Sequence, residues 1–514
     1  MRPTDQFRAV KPSDREWLWN WTYCFTGVNV ARQPVCTGHC APFDVYADQC
    51  LNRPPVTLTI GSRGSGKSFL AAMSVHYTSR FHRRAKTRVL GGSAAQSQQI
   101  YDALKAIVLD GCGPLGNDED TVDQLLANEA RYVNGSEARI LACSNRSVRG
   151  PHVQTLKLDE VDEIPDNFRE SAMGMCMAKD GLSAAIDMTS TWHNVGGPMT
   201  ALVERAEAGE FPLYRFCAFE VLERCPESRS GKHLEKCPDC PLFKYCHEER
   251  MSDESKPPKA KISDGHYSID ALIQKLTLGS ERIFAADYLC KGPQADGLWF
   301  RNWSNANVDD KAEFDPALPV HLAIDSGVRT GAVWFQVKES FDWQTKLVLH
   351  DVNVFADYYA DGLIAEENAK AIISLGETLC NGRRDIVVTD PAGEARNEVG
   401  PTVFAEYKRA GLSNVQSWPR RSVSDGLALL EALVRSASGR ISLHVHPRCR
   451  NLISAFESYR RAKVNNIWQD KPQDPQHPAE DMIDSLRGGL IHKFPSGRKP
   501  EPKLVKRAGS TIKY

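Results

Sequence analysis

Val56-Thr57-Leu58-Thr59-Ile60, then Gly61-Ser62-Arg63-Gly64-Ser65-Gly66-Lys67-Ser68, then Phe69 to Phe81 (FLAAMSVHYTSRF) set a β-branched run, a glycine-rich loop and a helical stretch in direct succession. The loop satisfies G-x-x-x-x-G-K-[ST], and the strand before it and helix after it give the motif its specificity. Its glycines let backbone N–H groups curl around phosphates at the positive end of the helix dipole. Lys67 is expected to reach the β- and γ-phosphates of ATP, and the Ser68 hydroxyl to hold Mg²⁺. Residues 61–68 are therefore the predicted nucleotide-binding set.

Such a loop needs an acid at the end of another strand of the same sheet, and Thr155-Leu156-Lys157-Leu158-Asp159-Glu160 supplies it. Asp159 is expected to hold Mg²⁺ through water, and Glu160 to polarise the water that attacks the γ-phosphate. The adjacent Asp-Glu pair points to hydrolysis rather than storage of nucleotide. Arg63 sits within the loop, where a guanidinium can neutralise charge on the γ-phosphate in the transition state. Thr189-Ser190-Thr191 closes a further β-branched run and puts small hydroxyls where they can sense that phosphate. From Val56 to about Thr191, short strands alternate with helical stretches, the pattern of a parallel α/β sheet.

A second group of strands begins near Leu318 (LPVHLAID, GAVWFQV, KLVLHDVNV, DIVVTD, ISLHVH). Asp325 and Asp390 each close a strand, and Asp481 and Asp484 share one face of a C-terminal helix at i and i+3. Three acids from two strand ends and one helix can hold two divalent metals for phosphodiester cleavage. Spacing alone admits a structural α/β domain equally well.

Fifteen cysteines are present, odd in number and clustered, which argues for a reducing setting rather than a secreted disulfide framework. Cys225, Cys237, Cys240 and Cys246 fall within one short segment, with Cys217, His233 and His247 nearby. The C-x2-C turn suits Zn²⁺, and the C-x2-C-x5-C spacing also occurs around a [4Fe–4S] cluster. A structural zinc stapling a loop-rich insertion is the preferred reading. Cys24, Cys36, Cys40 and Cys50, with His39, have spacings less typical of zinc and are assigned no metal.

With 64 basic and 65 acidic residues, the formal net charge is −1, which excludes holding polyanions by bulk charge. Local basic sets remain candidates for DNA contact: Arg80/Arg83/Arg84/Lys86, Arg420/Arg421, Arg460/Arg461/Lys463 and the C-terminal tail. A hydrophobic content of 41% with 25% charged residues describes a folded chain, and no run approaches a membrane span.

Both halves together resemble the large terminase subunit of tailed bacteriophages over roughly residues 35–495. SRGSGKS resembles the family's Arg-containing loop, LGGSAAQSQQIY the segment after the second strand, SVRGPHVQTLKLDE the stretch ending in the acid pair, and TST the coupling motif. LAIDSG, VVTDPAG and DMIDSLRGGL resemble the three acidic nuclease motifs; Arg-Gly-Gly stands where the family commonly has Arg-Tyr. The resemblance implies a P-loop ATPase followed by an RNase H-like α/β nuclease, with the Cys-rich insertion as an addition. It makes Arg63 a cis arginine finger, gives Arg149 a sensing role, and makes Asp484 the third ligand, beside Asp325 and Asp390, for two Mg²⁺ or Mn²⁺. Asp481 stands where the family often has His, and its part as a ligand is open.

The implied layout is an N-terminal Cys/Trp-rich segment packing on the ATPase (1–50), the P-loop core (51–214), the insertion (215–260), an ATPase lid or linker (261–314), the nuclease (315–493) and a basic tail (494–514). The implied partners are double-stranded DNA, the portal of the procapsid, a small terminase subunit, and copies of the chain in a pentamer on the portal, with a monomer in solution. The implied place is the host cytoplasm, without membrane. A DNA-repair helicase–nuclease, or a nucleotide-gated DNA-binding scaffold, are the alternatives.

Overall fold

The computed structural model describes residues 9–111, 113–141, 152–194, 197–292, 297–343, 345–394, 401–464 and 467–494. The chain divides into two compact units, residues 1–275 with 282–294, and 276–281 with 295–514. The stretch expected to be a lid or linker is thus shared between them.

The first unit is built on an eight-stranded sheet. Its strands are β1 (Val56–Gly61), β2 (Lys86–Gly91), β3 (Val122–Leu125), β4 (Glu129–Tyr132), β5 (Glu137–Leu141), β6 (Thr155–Asp159), β7 (Ala185–Ser190) and β8 (Leu213–Phe216). They lie in the order β3-β4-β5-β2-β6-β7-β1-β8. The run from β5 to β8 is parallel, with β3 and β4 added antiparallel at one edge. β6 and β7 are buried along their whole length, as expected of central parallel strands covered on both faces. The Trp-rich N-terminal segment belongs to this core. Trp21 packs edge-on against Tyr77 and Phe81 of the Lys67–Phe81 helix, and Leu18, Phe25 and Tyr46 are fully buried beside it.

One buried charge pair crosses the middle of the sheet. Lys157 on β6 and Asp187 on β7 are register partners, each about 4% exposed, with Nζ to Oδ2 at 2.6 Å. The ammonium also donates to Gln49 Oε1 and Ser74 Oγ, and Asp187 Oδ1 accepts from Thr57 Oγ1 of β1 at 2.7 Å.

The second unit carries a six-stranded mixed sheet of β9 (His321–Asp325), β10 (Arg329–Asp342), β11 (Leu347–Asp361), β12 (Ile386–Thr389), β13 (Val415–Ser417) and β14 (Leu443–Val445), ordered β13-β12-β9-β10-β11-β14. β9, β10 and β11 form an antiparallel meander, and β12 joins β9 in parallel, an RNase H-like arrangement. The final helix, Ala479–Lys493, lies across β9 and β10. Its Gly-Gly step has a packing reason. A Cβ at Gly488 would lie 2.3 Å from the Trp418 ring, and one at Gly489 2.7 Å from Phe335 and Ala323.

Asp187→Ala strands the Lys157 ammonium in the core and is expected to cost about 3–5 kcal/mol in denaturant unfolding of the full chain. Replacing both partners by apolar residues of similar volume should recover most of that. A single-site cost under about 1 kcal/mol would contradict the structural weight given to the pair.

Candidate functional site

In the first unit the parallel strands deliver their carboxyl ends to one edge, where ligands of open α/β sheets bind. The loop after β1 turns into the Lys67–Phe81 helix through Gly64 and Gly66, at φ +75° and +85°, a region that side chains resist. Gly64 also lies under Tyr267, whose ring a Cβ would strike at 2.6 Å. Lys67 Nζ donates to the carbonyls of Gly61 and Ser62 at 2.9 and 3.2 Å, folded back along its own loop.

β7 lies between β1 and β6, so its end touches both halves of the site. Asp159 accepts from Ser68 Oγ at 3.2 Å and from Thr189 Oγ1 at 2.8 Å. Burial, with Glu160 next to it, raises its pKa despite those two donors. Glu160 has φ +50°, which turns its side chain out of line with the strand. Its carboxylate lies 3.8 Å from Lys67 Nζ and accepts longer bonds from Ser190 Oγ, Thr191 N and Thr191 Oγ1, at 3.3 to 3.5 Å. Thr191 Oγ1 is 2.9 Å from His193 Nδ1, and His193 Nε2 is 2.7 Å from Glu163. A continuous polar chain therefore runs from Glu160 through Thr191 and His193 to Glu163, where the His193 contact holds the Glu163 carboxyl below its usual pKa.

Residues 62–69, Gln96, Gln99, Asp159, Glu160, Glu163, His193 and His266 line a cleft of about 540 Å³, within the size range of small-molecule and cofactor sites. The cradle, the buried acid beside Ser68 and the cleft fit a nucleotide with its Mg²⁺. Arg63 is 59% exposed at the mouth, its Nε paired with Asp287 Oδ2 at 3.0 Å. Asp287, His266 and Tyr267 come from segments with no motif, so nothing local in the sequence marks them.

In the second unit, Asp325 ends β9 and Asp390 follows β12, whose last residue pairs with Ile324. Asp484 comes from the final helix, which meets β9 where Ser485 Oγ accepts from Asp325 N at 3.3 Å. Burial first, then Asp484, Asp390 and Asp481, raise the pKa of Asp325 well above the carboxylate range. The four acids are thus close enough to repel, and an all-oxygen set under that repulsion suits hard divalent cations such as Mg²⁺ or Mn²⁺. Asp484 accepts from Arg487 Nε at 2.9 Å. Asp481 is 5% exposed and has His477 Nδ1 at 2.9 Å from both its oxygens, so it carries its own partner.

Two further expectations meet mixed outcomes. Cys225, Cys237, Cys240 and Cys246 line one cavity within the first unit, with Ala260 N donating to Cys246 Sγ at 3.4 Å, so a soft metal fits the donor set. Cys217 faces away from that set, toward Cys36. Among the basic groups, Arg80 is paired with buried Asp118, and Arg461 is 2% exposed between Asp470, Glu431 and the face of Trp299. Those two are structural ions, not DNA contacts. Arg149 and the tail beyond Phe494 lie outside the described residues.

The large terminase of a thermophilic bacteriophage superposes with a TM-score of 0.54 at 13% identity, covering 89% of this chain and 99% of that one. The same terminase in complex with ADP matches at TM-score 0.51 and 13% identity over 86% and 95%. Its complex with ATP-γ-S matches at 0.51 and 12% over 86% and 95%. The fold is that of a large terminase. No family model and no curated protein matches the sequence. In the terminase fold seen here, Asp159 and Glu160 meet Ser68 and Lys67 of the P-loop, Thr189–Thr191 bond to those two acids, and Asp325, Asp390, Asp481 and Asp484 form one electrostatic cluster.

The raised Asp325 pKa has a stability consequence. Below about pH 4 the carboxyl is protonated in folded and unfolded chains alike, and no penalty arises. As pH rises past the unfolded value, ionisation is favoured only in the unfolded chain, and stability falls up to the folded pKa. Asp325→Asn should therefore raise the thermal midpoint in EDTA at neutral pH, by about 2–4 °C for each kcal/mol relieved, with the gain vanishing near pH 4. Scanning calorimetry in metal-free buffer checks this; a lowered midpoint at neutral pH would count against the acid cluster.

Proposed function

We propose that this chain is the large subunit of a phage DNA-packaging terminase, an ATPase that drives double-stranded DNA into a procapsid and a metal-dependent endonuclease that cuts concatemeric DNA. The observation that carries the reading is the presence, on one chain of terminase fold, of a P-loop site with an adjacent Asp-Glu pair and a separate cluster of acids, two at strand ends of an RNase H-like sheet and two on its final helix.

In the ATPase, the backbone of residues 61–68 cradles the phosphates and Lys67 leaves its carbonyl partners for their negative charge. Ser68 and Asp159 would hold the Mg²⁺, which when bound neutralises phosphate charge. Glu160, held between Lys67 and the β7 hydroxyl donors, accepts the proton of the attacking water. Arg63 exchanges Asp287 for the γ-phosphate and stabilises charge as the bond breaks. Thr189, Ser190 and Thr191 touch both acids, so loss of the γ-phosphate is felt along β7 and the His193–Glu163 chain. Arg149 is assigned a sensing role by family likeness alone.

In the nuclease, Asp325, Asp390 and Asp484 would hold two Mg²⁺ or Mn²⁺, which when bound supply an activated water and stabilise the leaving oxygen. Arg487 fixes Asp484, and His477 fixes Asp481 beside the cluster. The expected partners are the portal, a small subunit that selects DNA, and further copies of this chain in a pentamer on the portal, within the host cytoplasm.

Lys67→Ala should lower ATP hydrolysis at least about 100-fold while leaving Mn²⁺-dependent plasmid cutting intact, and Asp390→Ala should do the reverse. Hydrolysis that survives Lys67→Ala removes the nucleotide site, and cutting that survives Asp390→Ala removes the nuclease centre. Arg63→Ala is expected to lower kcat about 10³-fold or more with little change in nucleotide affinity. In a reaction with procapsid and portal, wild-type chain that hydrolyses ATP but never protects DNA from added nuclease would discard the motor.

A further inference from the structure

Two turns far apart in sequence meet beside β8. Cys36-Thr37-Gly38-His39 is a C-x2-H turn, closed by His39 N donating to Cys36 O at 3.1 Å and passing through Gly38 at φ +77°. Cys217-Ala218-Phe219-Glu220 is a C-x2-E turn at the end of β8, with Phe219 N donating to Cys217 Sγ at 3.3 Å. The x2 spacing is the one that lets two side chains grip a single ion from one turn. Here each turn contributes one sulfur and one harder ligand.

The four donor atoms all lie within 4.8 Å of one another. Cys36 Sγ and Cys217 Sγ are 3.6 Å apart, and His39 Nδ1 is 3.1 Å from Glu220 Oε2. A tetrahedral Zn²⁺ with Zn–S near 2.3 Å sets two sulfurs about 3.8 Å apart, and with Zn–N and Zn–O near 2.0–2.1 Å sets N and O about 3.3 Å apart. The cage therefore has the dimensions of the ion. A disulfide would need the sulfurs at about 2.05 Å, well inside their present separation. Cys217 and Glu220 are buried to 1% and 0% exposure, Cys36 to 9%, and His39 closes the rim.

The surroundings are those of a held ligand set. Glu220 Oε1 accepts from Cys36 N at 2.8 Å and Oε2 from Cys217 N at 2.6 Å, so the backbone of both turns orients the carboxylate and leaves it lone pairs to spare. Buried Lys259, over the Phe219 ring, lies where it acts on both thiols. Two thiolates, a carboxylate and a divalent ion sum to one negative charge, beside an ammonium that also pairs with Glu248 at 3.0 Å, a carboxylate shared with Lys291 at 2.7 Å. The Cys225 set lacks this compactness: among the described residues, the group with all donors inside 4.8 Å is this one.

We propose that Cys36, His39, Cys217 and Glu220 form a closed, structural zinc site, separate from the Cys225–Cys246 cavity. Binding releases the two thiol protons and shifts the proton held between His39 Nδ1 and Glu220 to His39 Nε2, so that metal bonds to Nδ1 and to the carboxylate replace that hydrogen bond. Four protein ligands leave no open position, so the ion does no chemistry. It clamps the loop before the Pro42–Ala47 helix to the segment following β8, bridging partners 181 residues apart. Since β8 pairs with β1, the clamp braces the strand that carries the phosphate loop.

The test is metal content of the full chain, independent of ATP hydrolysis or DNA cutting, so it stands or falls apart from the terminase reading. Whatever the Cys225 set retains, elemental analysis should show one equivalent of zinc fewer in the Cys36→Ser/Cys217→Ser variant than in wild type. Equal zinc in the two would overturn the site. If that variant fails to fold, X-ray absorption on Cys237→Ser/Cys240→Ser decides: a shell of two sulfurs with two nitrogen or oxygen neighbours supports it, and a four-sulfur shell or no zinc overturns it. Glu220→Gln should lower zinc affinity at least about 10-fold in chelator competition, and unchanged affinity removes Glu220 from the set. A Cys36–Cys217 disulfide found by mass spectrometry of protein alkylated without reduction would also overturn it.

Discussion

The Lys157–Asp187 pair sets the register on which the nucleotide site rests. It joins β6 to β7 directly and reaches β1 through Thr57, so three adjacent strands are pinned at one level. Two residues further along, on the same face of each strand, stand Asp159, Thr189 and Thr59. A slip of one residue between β6 and β7 would send Asp159 to the opposite face and leave two charges buried alone. Parallel strands of apolar residues offer little else to choose between registers. A charge pair in the core is poor at adding stability and good at penalising the wrong alignment.

The two sites use strand ends alike but handle charge differently. Around Asp159 and Glu160 the fold supplies hydroxyl donors, a lysine and the backbone N–H of Thr191, so both acids have partners before any ligand arrives, although burial still raises the Asp159 pKa. Around Asp325 it gathers acids on acids, relieved on one side by Arg487. The first arrangement is a preformed receptor for an anion with its cation. The second is a deficit of positive charge that divalent ions complete.

What was legible in the sequence was what is local along the chain. The strand–loop–helix of residues 56–81, the acid pair after β6 and the hydroxyls ending β7 each declare themselves in a few consecutive residues. The strand-end acids of the second unit were legible too, though their convergence depends on how the final helix crosses β9. Contacts made across long separations left no trace. Asp287 beside Arg63, Tyr267 over Gly64 and Cys217 opposite Cys36 sit in segments without pattern. Composition misled in places: Arg80 and Arg461 read as surface charge and are buried ions, because an arginine looks the same in sequence whether water or a carboxylate surrounds it. The Gly488–Gly489 step carried no chemical meaning alone, and gains one only against Trp418 and Phe335.

Glu160 holds a backbone conformation that a β-substituted residue adopts at a cost of about 1–3 kcal/mol. Glycine there would ease the turn and remove the carboxylate that lies 3.8 Å from Lys67 and accepts from Ser190 and Thr191. The chain is therefore less stable at this position than its fold allows, and selection for stability alone would erode the hydrolytic acid first. A thermostabilised descendant obtained without a demand for turnover would be expected to retain the sheet, the loop and the nucleotide, and to have lost the reaction.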